Sequence, residues 1–259
     1  METFPVNELK LYLGDEIKIT DRIIVKSPTI GQIAEYGEAE YFSMAQTLCA
    51  TPSSMKVALD DMKLDWMQVT DFQLFMMLCQ SLKPSQTSIL LGDLDLSLLK
   101  PYSMNNSEEI VLSNEDHTTI INEVIYEILV TYLRKMHGFK KQVDKAGNEI
   151  TKMMLIKVAR DDAKKAADKP YKSFLRPLIS SVKCRMGYTI EYVKNMGIFE
   201  LMDDLSRLGV IVNADAALSG SWSGMVDTKK IPKETFDWTR DITEDTQKNN
   251  KTVLKEGAN

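Results

Sequence analysis

Cysteine is scarce in this chain of 259 residues, which contains three cysteines at positions 49, 79 and 184. None belongs to a Cys-x-x-Cys pair of the kind found in redox and zinc sites. Each lies among apolar residues, so we predict that Cys49, Cys79 and Cys184 are reduced, buried, small hydrophobic side chains. Reduced cysteines are typical of a reducing compartment, and we therefore expect the protein in the cytoplasm.

Histidine is scarcer still, with only His117 and His137. Neither has a cysteine or histidine neighbour at the spacing of metal ligands. We place His117 in the first turn of the longest predicted helix and His137 near its end. A helix C-terminus favours a protonated imidazole, so we interpret His137 as a local capping side chain. We expect no metal and no other cofactor.

The sequence motifs of common enzyme classes are also missing. The chain has no P-loop, no glycine-rich dinucleotide motif, no nucleophile elbow and no HExxH sequence. The run that starts at Asp93 resembles the beginning of a calcium loop. The sixth and twelfth positions, which should be Gly and Glu, are Leu98 and Met104. A turn or an exposed strand edge explains this run better than a calcium site does.

Two pairs of neighbouring carboxylates, Asp60-Asp61 and Asp203-Asp204, are the remaining candidates for acid chemistry. Adjacent side chains on a helix point about 100° apart. One member of each pair is therefore expected to face away from any shared site, and a solvated helix face is the better explanation. With no residue set that specifies a reaction, we predict that the protein is not an enzyme.

A basic excess is absent as well, because 32 Lys and Arg are outnumbered by 37 Asp and Glu. A formal net charge of -5 argues against a nucleic-acid-binding surface over the whole protein. The basic run Lys229 to Lys233, between two tryptophans, is interpreted as a solvated loop. No apolar run approaches the roughly 20 residues of a membrane helix, and the first residues lack a secretory signal pattern. We expect no membrane partner.

The hydrophobic pattern predicts a mainly α protein with a small β element at the N-terminus, an α+β class with bundle-like helical subdomains. Residues 1–26 are predicted to form a hairpin or edge strands, including 10–13, 17–19 and 23–25. Residues 27–137 are predicted to form a helical domain that contains a short β insertion at 88–112. Within that insertion, 89–91 is interpreted as a short buried run and 109–112 as a strand.

The longest helix is predicted over roughly 115–135, with Asn114 as its cap. Residues 138–152 are interpreted as an exposed loop or hinge, 153–240 as a C-terminal helical unit and 241–259 as a disordered tail. Earlier in the chain, Thr29 and Thr70 stand where helices are expected to begin. Gly37 is expected to mark a bend or a close contact in the first helical segment.

Methionine is abundant, with 15 residues. A flexible, polarisable side chain suits both an irregular core and a surface that repacks against different partners. Core filling is the interpretation that we favour from the sequence.

The stretch 174–238 has the character of a docking unit, because glycine-bracketed aromatics alternate with helical patterns. The run from Gly220 to Gly224 is predicted to be a tight turn around Trp222. Trp222 either closes the core of its own domain or presents a binding surface, and the sequence leaves both open. The residues that we expect to contact a protein partner are Phe199, Met202, Gly220, Trp222, Gly224, Ile231 and Trp238.

Several of these stretches resemble a known group of proteins. They are Ile23 to Ile30, Glu35 to Glu38, Tyr41-Phe42, Asp71 to Phe75, Ile89 to Asp93, Phe174 to Ser180, Gly187-Tyr188, Phe199 to Arg207, Ser219 to Gly224, Asp227 to Ile231 and Asp237-Trp238. Together they are similar to tail-morphogenesis proteins of bacteriophages and prophages of Gram-positive bacteria, including tail assembly chaperones. The resemblance covers most of residues 20–240 and contains no catalytic motif.

This resemblance implies a non-enzymatic role. Tail assembly chaperones bind the long tape-measure protein in the host cytoplasm and keep its apolar segments from aggregating until the tail tube forms. The expected partner is the tape-measure protein or another tail protein, and self-association is compatible with this role. Two alternatives stay open: a structural virion component of the tail, neck or baseplate, and an enzyme or nucleic-acid-binding factor.

Overall fold

A computed structural model of the chain describes residues 6–103, 110–167, 169–223 and 231–242. The chain divides into two compact units, residues 1–200 and 201–259, and each is described by itself. The described residues form eleven α-helices and two small antiparallel sheets. The predicted class, mainly α with a small β element, is confirmed.

The helices and strands follow one another with short connections. The helices are α1 (Glu8–Tyr12), α2 (Ile30–Tyr36), α3 (Glu38–Leu48), α4 (Lys56–Asp61), α5 (Asp71–Cys79), α6 (Pro84–Leu91), α7 (Glu123–His137), α8 (Glu149–Ala167), α9 (Leu175–Met186), α10 (Ile190–Asn195) and α11 (Ile198–Trp222). The strands are β1 (Ile17–Lys18), β2 (Ile24–Val25), β3 (Lys100–Ser103), β4 (Ile110–Ser113) and β5 (Ile120–Ile121). β1 pairs with β2, and the second sheet has the order β3-β4-β5.

The predicted starts of two helices are confirmed. Thr29 and Thr70 are the N-caps of α2 and α5, and each forms a reciprocal capping box with a glutamine three residues later. Gly37 separates α2 from α3 with a φ of 104°, a backbone conformation that favours glycine. The expected bend at Gly37 is therefore present.

Two segments predicted as extended are helical. Residues 10–13 were expected in a strand, but α1 ends at Tyr12, and the Asn7 side chain accepts a hydrogen bond from the backbone N–H of Lys10. The run 89–91 is the last turn of α6, which begins with Pro84 and is followed by Gly92. Short apolar runs fit a strand or a buried helix equally well, and here the flanking Asn, Pro and Gly residues decide for helix.

The longest predicted helix begins later than expected. Its true cap is Asn122, whose side chain accepts a hydrogen bond of 2.9 Å from the N–H of Ile125. Ile120 and Ile121 belong to β5 and pair with β4 instead of extending the helix. The strand predicted at 109–112 is present as β4 from Ile110.

His117 consequently lies between β4 and β5, so its predicted position in a helix is wrong. Its φ of 53° is in the left-handed region, and its Nδ1 lies 2.9 Å from the Ser113 hydroxyl. Its ring packs on Tyr102, with 4.6 Å between the ring centroids. The side chain thus stabilises the turn between the two strands.

His137 is buried at the end of α7 and bonds to a carbonyl of its last turn as a neutral imidazole, not in the protonated form that a helix C-terminus favours. Its Nδ1 lies 2.7 Å from the Leu133 carbonyl oxygen, so this nitrogen carries the proton and donates. Nε2, 2.6 Å from the Tyr41 hydroxyl, then accepts a hydrogen bond. Burial lowers the pKa of His137 to about 4, although the Leu133 carbonyl opposes this shift. The imidazole is therefore neutral at pH 7.

Helices α4 and α8 pack against each other around Leu59, Trp66 and Ile156. At the edge of this contact, one Arg160 nitrogen lies 3.0 Å from Asp60 Oδ2 and 2.7 Å from Asp61 Oδ1. The expectation that these neighbouring carboxylates diverge is wrong, because both reach the same guanidinium. The interpretation of Asp60 and Asp61 as structural residues is correct, because their carboxylates join α4 to α8 through Arg160.

The segment between α7 and α8, predicted to be an exposed loop or hinge, is anchored to the connection before α4. The Thr51 hydroxyl donates to the Gln142 carbonyl, and the Asp144 N–H donates to the Ser53 hydroxyl, both over 2.9 Å. Most side chains of the segment are exposed, as expected. Its function as a hinge stays a prediction.

The cysteines divide into two kinds. Cys49 and Cys79 are buried, and burial raises the pKa of each thiol to about 12, so both stay protonated. Cys184 is exposed on α9, and its predicted burial is wrong. An apolar neighbourhood in sequence does not determine which side of an amphipathic helix a cysteine occupies.

Helix α10 approaches α2 closely. The N–H of Ile30 donates to the Met196 carbonyl over 2.9 Å, and Thr29 forms a bridge with Gly197. A Cβ added at Gly31 would lie 2.9 Å from the Lys194 carbonyl oxygen, which is backbone and cannot swing away. Glycine at position 31 therefore allows the two helices to meet.

Replacing Gly31 with alanine should destabilise the protein by about 1–2 kcal/mol, because the overpacking outweighs the gain in helix propensity. Gly209→Ala is the matched control, since a Cβ there meets no described atom within 4 Å and lies inside α11. We expect that control to be neutral or stabilising in chemical denaturation. Equal effects of the two substitutions would contradict the close approach at Gly31.

Candidate partner-binding surfaces

Helix α11 continues through Gly220 to Trp222, so the tight turn predicted to begin at Gly220 is wrong. Gly224 lies outside the described residues. Trp222 is 82% exposed at the end of the helix. The interpretation of Trp222 as a buried core residue does not hold in this structure, and its role in binding stays a prediction.

Trp238 is 55% exposed and is held by its backbone. Arg207 of α11 donates from Nη1 to the carbonyl oxygens of Trp238 and Arg240, over 2.8 and 2.7 Å. Trp222 lies 15 residues beyond Arg207, which corresponds to about 22 Å of helix. Trp222 thus lies at the end of α11, whereas the Trp238 backbone is bonded to a residue about four turns earlier in the same helix.

The other predicted contact residues are less accessible. Phe199, in the first turn of α11, is buried. Met202, Gly220 and Ile231 are partly buried. Of the predicted set, Trp222 and Trp238 are thus the described side chains that are open to a partner.

Methionine is found mainly at the surface, contrary to the favoured interpretation. Only three of the described methionines are buried, namely Met44, Met136 and Met196. Six are exposed, namely Met62, Met67, Met77, Met153, Met154 and Met186. Exposed methionine is typical of surfaces that accommodate different apolar partners.

Helix α8 has apolar residues on two opposite sides. Ile156 is buried and Leu155 partly buried against α4 and its neighbours. On the other side lies the surface that we call the α8 stripe, whose side chains are 57–72% exposed. Its residues are Ile150, Met153, Met154 and Val158. The α8 stripe is an apolar helix face without a described partner in residues 6–103, 110–167 and 169–200.

A second surface lies between α2 and α9, a cleft of about 500 Å³ that we call the α2–α9 groove. Its apolar lining comes from both helices, namely Ile30, Ala34, Leu175 and Ile179. Leu175 and Val182 lie on the same side of α9 and are buried, while Ile179 between them stays partly exposed along the groove. The groove has the shape and lining needed to accept apolar side chains of another helix.

The rim of the α2–α9 groove is basic. Arg176 and Lys183 are exposed along α9. Glu38 also lies on the rim, but its carboxylate is already bonded to the start of α9. It accepts a 2.7 Å hydrogen bond from the N–H of Leu175. Burial raises the pKa of Glu38, but hydrogen bonds from Ser173, Leu175 and other donors outweigh this and hold it below its ordinary value. Two cations are thus left facing solvent.

Neither surface offers a set of groups for metal chemistry. In the part of the chain that the structure describes, no group of three or more His, Cys, Asp or Glu residues could hold a metal ion. No helix among the described residues is both long and apolar enough to cross a membrane.

Comparison with known proteins concerns the C-terminal part of the chain. Residues 164–243 match the model of a family described as the YomV second domain. This region resembles a phage-associated domain. The YomV-like region covers about a third of the chain and includes α9, α10 and α11. Searches of curated proteins and of solved structures gave no match.

The YomV-like region contributes one wall of the α2–α9 groove, through Leu175 and Ile179. The sequence interpretation missed this groove, although a signal was available. Leu175, Leu178, Ile179 and Val182 recur at helical spacing and mark α9 as amphipathic. The spacing does not show that Ile179 stays partly exposed beside α2.

Proposed function

We propose that this protein is a phage tail morphogenesis factor, and specifically a tail assembly chaperone that binds the tape-measure protein in the host cytoplasm. The phage-associated character of the YomV-like region supports the general role. The observation that carries the specific role is the α2–α9 groove, an open apolar cleft formed in part by that region.

In this proposal the groove holds one apolar face of a partner helix. Ala34 and Ile179 contact its apolar side chains, while Arg176 and Lys183 favour acidic residues beside them. Each contact is small, so binding is reversible, as a chaperone requires. The action is burial of apolar surface without covalent chemistry, and we propose that the protein is not an enzyme.

The test is co-expression with the tape-measure protein of the same phage, with the soluble fraction of that protein as the readout. Ile179→Asp puts a charge into the groove and should reduce the soluble complex at least about tenfold. Ser181→Asp adds the same side chain to an exposed position of α9 that does not line the groove. We expect this control to behave like the wild type.

Because Ile179 is partly buried, Ile179→Asp could reduce the complex by unfolding the protein. A second variant at exposed positions separates loss of binding from loss of stability. Arg176→Glu with Lys183→Glu changes only exposed residues of the rim and should weaken the complex while the melting temperature stays unchanged. Full solubilisation of the tape-measure protein by both groove variants would refute the proposal. Abundant peptides of this chain in purified mature virions would favour the structural alternative instead.

A further inference from the structure

The α2–α9 groove is basic, although the chain as a whole is acidic. Residues 169–190 contain five Lys or Arg and no Asp or Glu, whereas the whole chain has a formal net charge of -5. Glu38 is the one carboxylate among the described residues that line the groove, and it is already bonded to the start of α9. The groove therefore presents a positive charge to a partner, which favours an acidic one.

The two cations of the rim have a defined spacing along α9. Arg176 and Lys183 are seven residues apart, which corresponds to about 10.5 Å of helix and a difference in direction of about 20°. Both side chains thus lie on the same edge of α9. Two acidic residues seven positions apart on a helix lying along α9 have the same rise and nearly the same direction. This match holds whether the partner helix runs parallel or antiparallel to α9.

The middle of the groove is a hollow lined by small side chains. Its floor is formed by Ile30 and Leu175, which are both 4% exposed. Beside this floor, the lining residues Ala34 and Ser180 have short side chains and are exposed to solvent. Short side chains on both helices leave room for one large apolar side chain of a partner, which would pack against Ile179.

We propose that the α2–α9 groove recognises an acidic amphipathic helix, in which a large apolar anchor lies between two Asp or Glu residues seven positions apart. The anchor fills the hollow, and the two carboxylates pair with Arg176 and Lys183. This recognition rule rests on the proposed function, because it names the class of segment that the groove selects in the tape-measure protein. Candidate binding segments can therefore be located in the sequence of the partner.

The test is fluorescence anisotropy with the full chain and a labelled, alanine-rich helical peptide of about 21 residues. In this first peptide, a central leucine is accompanied by leucines four residues before and three residues after it, and by glutamates three residues before and four residues after it. In the control peptide, the second glutamate is moved two residues further on, which turns it by about 200° to the other side of the helix. We expect the control peptide to bind about two- to fivefold more weakly, the effect of one exposed ion pair.

Variants of the protein test the rim and the hollow separately. Arg176→Glu with Lys183→Glu should weaken binding of the first peptide at least about tenfold, and lysines in place of both peptide glutamates should restore it. Ser180→Leu fills the hollow and should also weaken binding at least about tenfold. Ser181→Leu changes an exposed residue of α9 that does not line the groove, so it should have no effect.

The outcomes separate this recognition rule from the proposed function. No binding of the first peptide, equally tight binding of both peptides, or binding unchanged by Ser180→Leu would overturn the rule, whereas the co-expression test decides the function. Peptide binding as expected, without solubilisation of the tape-measure protein, would refute the function alone. A labelled single-stranded oligonucleotide is the last comparison, because a basic rim also attracts phosphates. Tighter binding of the oligonucleotide, lost in Arg176→Glu with Lys183→Glu, would assign the rim to nucleic acid and overturn the rule.

Discussion

Replacing Asp144 with alanine should lower the free energy of unfolding by about 3 kcal/mol, because it leaves a buried ammonium group without its counter-charge. The Lys56 side chain is 7% exposed, and its Nζ contacts Asp144 Oδ2 and the Ser53 carbonyl oxygen. Burial raises the pKa of Asp144, but hydrogen bonds from Lys56 and Gln142 outweigh it and hold the pKa below its ordinary value. Urea denaturation at pH 7 measures the effect.

Two comparisons make this prediction specific. Asp21→Ala breaks an ion pair whose side chains are 63% and 91% exposed, and it should not change stability measurably. Combining Asp144→Ala with Lys56→Met removes the buried charge together with its partner, so the double variant should be more stable than Asp144→Ala alone. If Asp144→Ala is as mild as Asp21→Ala, the segment before α8 is not held by this pair.

Lowering the pH from 7 to 4 should cost about 3 kcal/mol of stability through His137 alone. Burial lowers the pKa of His137 from 6.5 to about 4 in the folded protein. The folded state thus binds fewer protons than the unfolded state between these values. The stabilisation is complete above pH 6.5 and is lost as the pH falls towards 4, at about 1.4 kcal/mol per pKa unit.

The control removes both polar groups of the buried contact. Tyr41→Phe with His137→Leu deletes the hydroxyl and the imidazole together, so neither is left unpaired. The carboxylates that titrate at low pH are the same in both proteins. The difference in unfolding free energy between wild type and double variant should therefore shrink as the pH falls from 7 to 4. A difference that is constant with pH would show that His137 is solvated.

The sequence predicts helix starts and turns well where a residue type strongly favours one local conformation. Thr29 and Thr70 cap helices as expected, and Gly37 adopts the conformation for which glycine is suited. Helix α7 shows the limit of this reasoning. Ile120 and Ile121 fit its apolar period, but Asn122 caps the helix and leaves them to a strand. Periodicity alone does not decide between two asparagine caps eight residues apart.

The candidate surfaces were harder to predict than the fold, for a physical reason. Helix α8 has two apolar sides, and the sequence does not indicate which of them α4 covers. Only tertiary packing shows that Ile156 is enclosed while Met153 and Met154 are exposed. Likewise, burial of Cys49 and exposure of Cys184 depend on neighbours that are distant in sequence.

The bridge between Thr29 and Gly197 sets an order of events during synthesis. The Ile30 N–H and the Pro28 carbonyl bond to Met196 and Ile198, which leave the ribosome about 170 residues later. At 5–20 residues per second, that delay is on the order of ten seconds or more. For this time the nascent chain exposes the side of α2 that α10 later covers. A product truncated before residue 190 would keep that side exposed permanently.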